Sequence, residues 1–249
     1  MFIDTHCHIY REYYDDLDMI VDKIKKANIK KIINNGCDIQ SNKEVLSSVL
    51  KYDIMYGAIG IHPENVDKYT EEDLNFIVEH IKDKKIVAIG EIGLDYYWVK
   101  DNKEKQIDLF RKQLAIAEEF NVPVIIHSRD ATLDTINILK EYKVKGVIHS
   151  FSGSYETACI YIKMGFLLGI NGVITFKNCN LKEVLKKIDL SNIVLETDSP
   201  YLTPVPFRGE KNDSSHINDI ALFICDLKNV SMSSLAQVTN ANVRKCFDI

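Results

Sequence analysis

Phe2-Ile3-Asp4-Thr5-His6-Cys7-His8 opens the chain as an apolar run that passes directly into two histidines. In an extended segment residues two apart point the same way, so both imidazoles can reach one cation. Alone, such a pair is a weak signal, because two polar residues leaving a strand are common. The same design returns along the chain. Apolar runs at 31–35, 55–60, 86–91, 122–127, 146–149, 167–171 and 193–198 join the first, at 2–6. Four of them close on a side chain able to hold a metal: Glu91, His127, His149 and Asp198. One ending of this kind reads as a capping acid or a core histidine. Five together call for a fold that brings strand ends to one face.

The runs are continuous rather than alternating, as in parallel strands covered on both sides. Between them lie charged stretches with helical spacing. Residues 15–28 put Leu17, Ile20, Val21 and Ile24 on one face, and 106–120 do so with Ile107, Phe110, Leu114 and Ala117. Thr70 before Glu71-Glu72-Asp73 reads as an N-cap with an acidic first turn. Eight strand–helix repeats in 249 residues predict an α/β chain: a single (β/α)8 TIM barrel with parallel strands and an extra C-terminal helix, one domain over 1–249. An open doubly wound sheet would put its site at a strand-order switch instead of gathering ligands from many strand ends.

With 46% hydrophobic and 27% charged residues the composition is that of an ordinary globular chain. A formal net charge of −5 argues against broad wrapping of nucleic acid, which needs a basic face. An acidic substrate met at one point beside bound cations stays compatible with it. The six cysteines include no C-x-x-C pair, so no disulfide framework is expected. No leader-like segment and no apolar run of about 20 residues is visible, so a cytoplasmic protein without a membrane anchor is expected.

Four histidines and two carboxylates are too many for one tetrahedral site but suit two adjacent divalent cations. The expected assignment has His6, His8 and Asp198 on one, His127 and His149 on the other, and Glu91 bridging. Mixed imidazole and carboxylate ligands favour Zn, Mn or Fe, with labile Mg also open. Such a pair supplies an activated water at neutral pH, and Asp198 is the candidate to accept its proton, which makes Asp198 and Glu91 the catalytic candidates. Of the other histidines, His62 in Gly60-Ile61-His62-Pro63 is expected to orient substrate, with a structural role as the alternative. His80 reads as surface, and His216 has no assigned role. Arg129, Lys177 and Arg208, each in a loop after a strand, are candidate phosphate contacts; salt bridging is the alternative. Tyr96, Tyr97 and Trp98 suit either stacking on unpaired bases or apolar packing over the site, with packing preferred.

With these residues in place, the chain resembles the TatD family of metal-dependent deoxyribonucleases, within the amidohydrolase-like barrels. The resemblance rests on the opening Asp4–His8 motif, Gly60-Ile61-His62-Pro63, Gly90-Glu91-Ile92-Gly93-Leu94-Asp95-Tyr96-Tyr97 and Ile126-His127-Ser128-Arg129-Asp130-Ala131. Two later motifs complete it: His149-Ser150-Phe151-Ser152-Gly153 and Glu196-Thr197-Asp198-Ser199-Pro200-Tyr201-Leu202. It implies hydrolysis of DNA phosphodiester bonds, as a 3′-to-5′ exonuclease on single strands or 3′ ends, at a two-metal site of the six ligands named above. Two departures stand out. Ser150 replaces the Cys of many members, and Glu210-Lys211-Asn212-Asp213-Ser214 replaces a more basic stretch.

A small-molecule amidohydrolase, or an esterase acting on aminoacyl-RNA, is the rival reading of the same ligands. Many dinuclear amidohydrolases bridge with a carboxylated lysine at the end of strand four, where this chain has Glu91. A barrel that has lost catalysis and only binds partners would lack ligands, and all six are here.

Overall fold

The computed structural model describes residues 1–98 and 101–249. Among these the strands are β1 (Ile3–Cys7), β2 (Lys31–Asn35), β3 (Met55–Ile59), β4 (Ile86–Asp95), β5 (Val124–Arg129), β6 (Gly146–Ile148), β7 (Phe166–Ile170) and β8 (Ile193–Leu195). The helices are α1 (Leu17–Lys26), α2 (Ile39–Lys51), α3 (Glu71–His80), α4 (Lys103–Phe120), α5 (Thr132–Leu139), α6 (Tyr155–Lys163), α7 (Leu181–Lys187), α8 (Ile217–Lys228) and α9 (Met232–Phe247). All eight strands form one sheet in chain order, and a helix follows each, so the expected (β/α)8 class is the one found. The extra C-terminal helix is α9.

By contact the chain divides into two compact units. One is Met1–Asn34 with Ser150–Ile249, the other Asn35–His149. The first holds β1, most of β2, β7 and β8. Within it β1 pairs with β2 and β7 with β8, both in parallel. Its first strand also meets the segment that follows β8: the Asp198 amide donates to the His6 carbonyl at 2.9 Å and the His8 amide to the Ser199 carbonyl at 2.7 Å. The second unit holds the parallel run β3–β4–β5–β6.

Burial explains why these runs are strands. Ile32 and Ile33 of β2, and Val124, Ile125 and Ile126 of β5, are fully buried whichever way they point, as in a sheet covered on both faces. The helices bury one stripe each; in α1 it includes Val21 and Ile24. Thr70 precedes α3 as expected, and Asp73 reaches back to accept its amide at 2.8 Å.

Several boundaries differ from expectation. β5 starts at Val124, since Pro123 has no amide to give a ladder. β8 stops at Leu195; the Glu196 amide still donates to Ile170 of β7 at 3.1 Å, and by Asp198 the chain has turned to β1, its amide donating to His6. β4 continues past Glu91 to Asp95, with Gly93 paired to His127. Gly93 permits this: its φ is +146°, and a Cβ there would lie 1.9 Å from the His127 carbonyl oxygen.

A recurrent device rigidifies the strand ends. In the second unit three buried helical amides copy a missing strand neighbour by bonding both the N–H and the C=O of one residue. Asn42 does this to Gly60 at 3.0 and 2.9 Å, Gln113 to Ile61 at 2.8 and 3.0 Å, and Gln106 to Asp95 at 2.9 and 3.0 Å. In the first unit Asn34 serves Ile9 in the same way, at 2.7 and 3.2 Å. A buried backbone group without a partner is costly, so these amides extend the ladder where the sheet ends.

Candidate metal centre

Each unit carries its own set of ligand-type side chains at the C-terminal ends of its strands. In the first unit His6 and His8 extend from β1, and their Nε2 atoms lie 3.0 Å apart. The Asp198 Oδ1 is 3.7 Å from the His6 Nε2 and 3.6 Å from that of His8. Donors bonded at about 2.1 Å to one cation lie about 3.0 Å apart on an octahedral edge and about 3.4 Å apart on a tetrahedral one. The triangle is therefore of the right size and chemistry for one divalent cation. Asp198 reaches it from a left-handed backbone (φ 56°), a conformation that Asp tolerates better than most residues.

Asp4 binds this half together, although no role was expected of it. It shares the face of His6 and His8, two and four residues on, and is fully buried. Its Oδ1 accepts the amides of His6 (3.2 Å) and Thr197 (2.9 Å), and its Oδ2 accepts the Thr197 hydroxyl at 2.6 Å. Burial pushes its carboxyl up to about 7 against the hydrogen bonds that favour its charge. Glu196 is equally buried; its Oε1 accepts the Ser150 amide at 2.6 Å. Gly169 makes room for it, since a Cβ there would sit 2.2 Å from Glu196 Oε2.

In the second unit the centre of the cluster is Glu91 Oε1. His127 Nδ1 lies 2.8 Å from it, His62 Nε2 3.6 Å and His149 Nε2 3.9 Å. The other nitrogen of His127, Nε2, meets Asp95 Oδ2 at 2.9 Å. Burial works against a charged imidazole here, but Asp95 and Glu91 outweigh it and hold His127 up at about 9. A carboxylate on the far nitrogen of a histidine is the usual outer support of a metal ligand. The sequence assigned Asp95 no role, although it lies within the Gly90–Tyr97 motif.

His62 belongs to this cluster, its ring 4.4 Å from that of His127. Its Nδ1 accepts the Glu64 amide at 3.3 Å, so the neutral ring carries its proton on Nε2, toward Glu91. That tautomer suits an orienting group; a ligand would need Nε2 bare.

The three candidate phosphate contacts are exposed. Arg129, in the second unit, stacks on Tyr97 and Trp98, with its guanidinium carbon 4.1 and 5.3 Å from the two ring centres. In the first unit Arg208 stacks on Phe176 at 3.9 Å, and Lys177 is the next residue in the chain. The preference for packing holds for Tyr96, which is 8% exposed, and fails for Tyr97 and Trp98, at 45% and 63%. His216 is tied to Asp219 at 2.8 Å.

The segment 210–214 is stitched into the first unit. Asn212, fully buried, donates to the carbonyls of Thr197 (3.0 Å) and Tyr201 (2.6 Å), and its own carbonyl accepts the Tyr14 hydroxyl at 2.6 Å. This segment supports the loop that carries Asp198.

Residues 3–248 match the family model described as TatD related DNase. The chain is 42% identical to the uncharacterized metal-dependent hydrolase YabD of Bacillus subtilis (strain 168), over 100% of both chains. It is 35% identical to the uncharacterized metal-dependent hydrolase YcfH of Escherichia coli (strain K12), over 99% of this chain and 96% of that one. Among solved structures it is similar to YjjV, a TatD homologue from Escherichia coli K12, with a TM-score of 0.92 and 30% identity over 100% and 98% of the two chains. With this match from end to end, in sequence and in fold, the chain belongs to the TatD-related DNase family, whose relatives named here are metal-dependent hydrolases.

Proposed function

We propose that residues 1–249 act as one divalent-metal-dependent deoxyribonuclease domain that shortens single-stranded DNA from its 3′ end. The observation that carries this reading is the pair of donor sets: His6, His8 and Asp198 in one unit, Glu91, His127 and His149 in the other. Each set would hold a divalent cation, with Glu91 the carboxylate of the second. Cations held by these residues would supply Lewis-acid polarisation of the scissile phosphate and a water of lowered pKa.

The side chains supply the rest. Asp198, 14% exposed at its side chain, is near enough to solvent to take the proton of the attacking water. His62, with its Nε2 3.6 Å from Glu91 Oε1, stands beside the donors to orient substrate, and Asp95 fixes the ring of His127. Arg129, Arg208 and Lys177 provide cationic contacts for phosphate oxygens on a chain whose net charge is −5. Local contacts of this kind suit a strand held at one end rather than a duplex wrapped along its length.

The test is hydrolysis of an end-labelled single-stranded oligonucleotide by metal-stripped protein with Mg²⁺, Mn²⁺ or Zn²⁺ restored, beside the Glu91→Ala variant. Stepwise shortening that depends on the cation and drops at least 100-fold in the variant is expected. Stoichiometric metal binding with intact DNA under every ion would overturn the nuclease reading and turn attention to small esters, amides and aminoacyl-RNA.

A further inference from the structure

The loop after β4 presents two large aromatic rings to solvent next to the second donor set. Tyr96 turns inward and its hydroxyl donates to Asp134 at 3.0 Å, but Tyr97 and Trp98 turn outward. Their rings meet edge to face, 4.8 Å apart at 86°, and the exposed Arg129 guanidinium lies over both. Single exposed apolar residues need no explanation, but here Tyr97 and Arg129 hold the Trp98 ring in one orientation, and that ring is the platform.

The platform is held in register with the metal-ligand cluster by one side chain. Asp95 Oδ1 accepts the amides of Tyr97 (2.9 Å) and Trp98 (2.8 Å), while Oδ2 meets His127. Asp95 itself is fully buried, and its backbone is fixed on both sides by Gln106. The rings therefore stand one carboxylate away from a candidate ligand, on a rigid support.

We propose that Tyr97, Trp98 and Arg129 form a subsite for an unstacked nucleobase of single-stranded DNA, the base stacking on the more exposed ring, Trp98, which Tyr97 buttresses edge-on, with a neighbouring phosphate on Arg129. This rests on the nuclease reading above and adds to it a reason for preferring unpaired ends. Every base has a π-face, so such a subsite is tolerant of sequence, and it is denied to bases stacked inside a duplex.

Trp98 is the only tryptophan in the chain, so its fluorescence reports on the platform directly. The full-length protein, loaded with Mg²⁺, is titrated with an oligothymidylate whose phosphorothioate linkages resist cleavage. The comparison is an abasic strand of the same length and linkage. Quenching by the base-bearing strand at concentrations about tenfold below those needed for the abasic one is expected. By anisotropy of labelled strands, Trp98→Ala should lose that tenfold discrimination and Trp98→Phe should keep most of it. Equal quenching by both strands, or none by either, would overturn the subsite. Cleavage of the unmodified strand by the same preparation separates the two failures. Cutting without base-dependent quenching removes the subsite and leaves the nuclease; loss of both removes both.

Discussion

The two oxygens of Asp95 have different partners: one caps the loop bearing Tyr97 and Trp98, the other faces His127. Asp95→Asn preserves an oxygen for the loop amides but removes the negative charge beside the imidazole. With His127 as a ligand, metal affinity measured by chelator competition should fall about tenfold, while the urea midpoint barely moves. Unchanged affinity would mean that Asp95 serves the loop alone. Asp4 has the corresponding place in the other unit, where it joins His6 to Thr197 beside Asp198. Each donor set thus has its own buried carboxylate behind it.

At the scale of elements, the loops beyond the strand ends are held by amides from helices. Gln113 of α4 lies on the buried face, yet it is polar because Ile61, beyond the end of β3, needs both its backbone groups satisfied. Gln113→Leu has nearly the same volume and cannot form either bond. It should destabilise the protein by about 2–4 kcal/mol, read from urea unfolding, and also lower activity by loosening the adjacent His62. A loss below about 0.5 kcal/mol would show that water replaces the amide without cost. Asn42 and Gln106 are the same device on α2 and at the start of α4.

At the scale of the whole molecule, the two ends of the chain build one unit together. Lys23 of α1 meets Asp213 at 2.6 Å across 190 residues, and Asn218 of α8 donates to the carbonyl of Ala27 at 2.9 Å. Burial would raise the Asp213 carboxyl, but Lys23 and Ser215 prevail and hold it below its ordinary 3.8. A carboxyl whose folded pKa is depressed stabilises the fold above its unfolded value, and that contribution is lost as pH falls through the folded one. Asp213→Asn should therefore lower stability at pH 7 by on the order of 1 kcal/mol, modest because the Lys23 side chain is 55% exposed. In urea titrations the gap from the parent protein should narrow below about pH 4 and close near pH 2. A gap that stays constant with pH would assign the loss to packing.

The (β/α)8 class and the positions that supply ligand-type side chains are legible in the order of residues alone. Both depend on local pattern: continuous apolar runs make covered strands, and a histidine or acid after such a run sits at a strand end whatever else the chain does. The order of residues also marked 126–131 and 196–202 as site segments without showing what Arg129 or Glu196 would touch. It took the folded chain to reveal that Asp4 and Asp95 stand behind the donors, that His62 turns its Nε2 toward Glu91, and that Trp98 is exposed while Tyr96 is not. These depend on pairings between residues far apart in the chain, such as Asp4 with Thr197, and on which way consecutive loop residues turn. Hydrophobic periodicity reports burial along one element; it carries no record of which buried polar group will satisfy another.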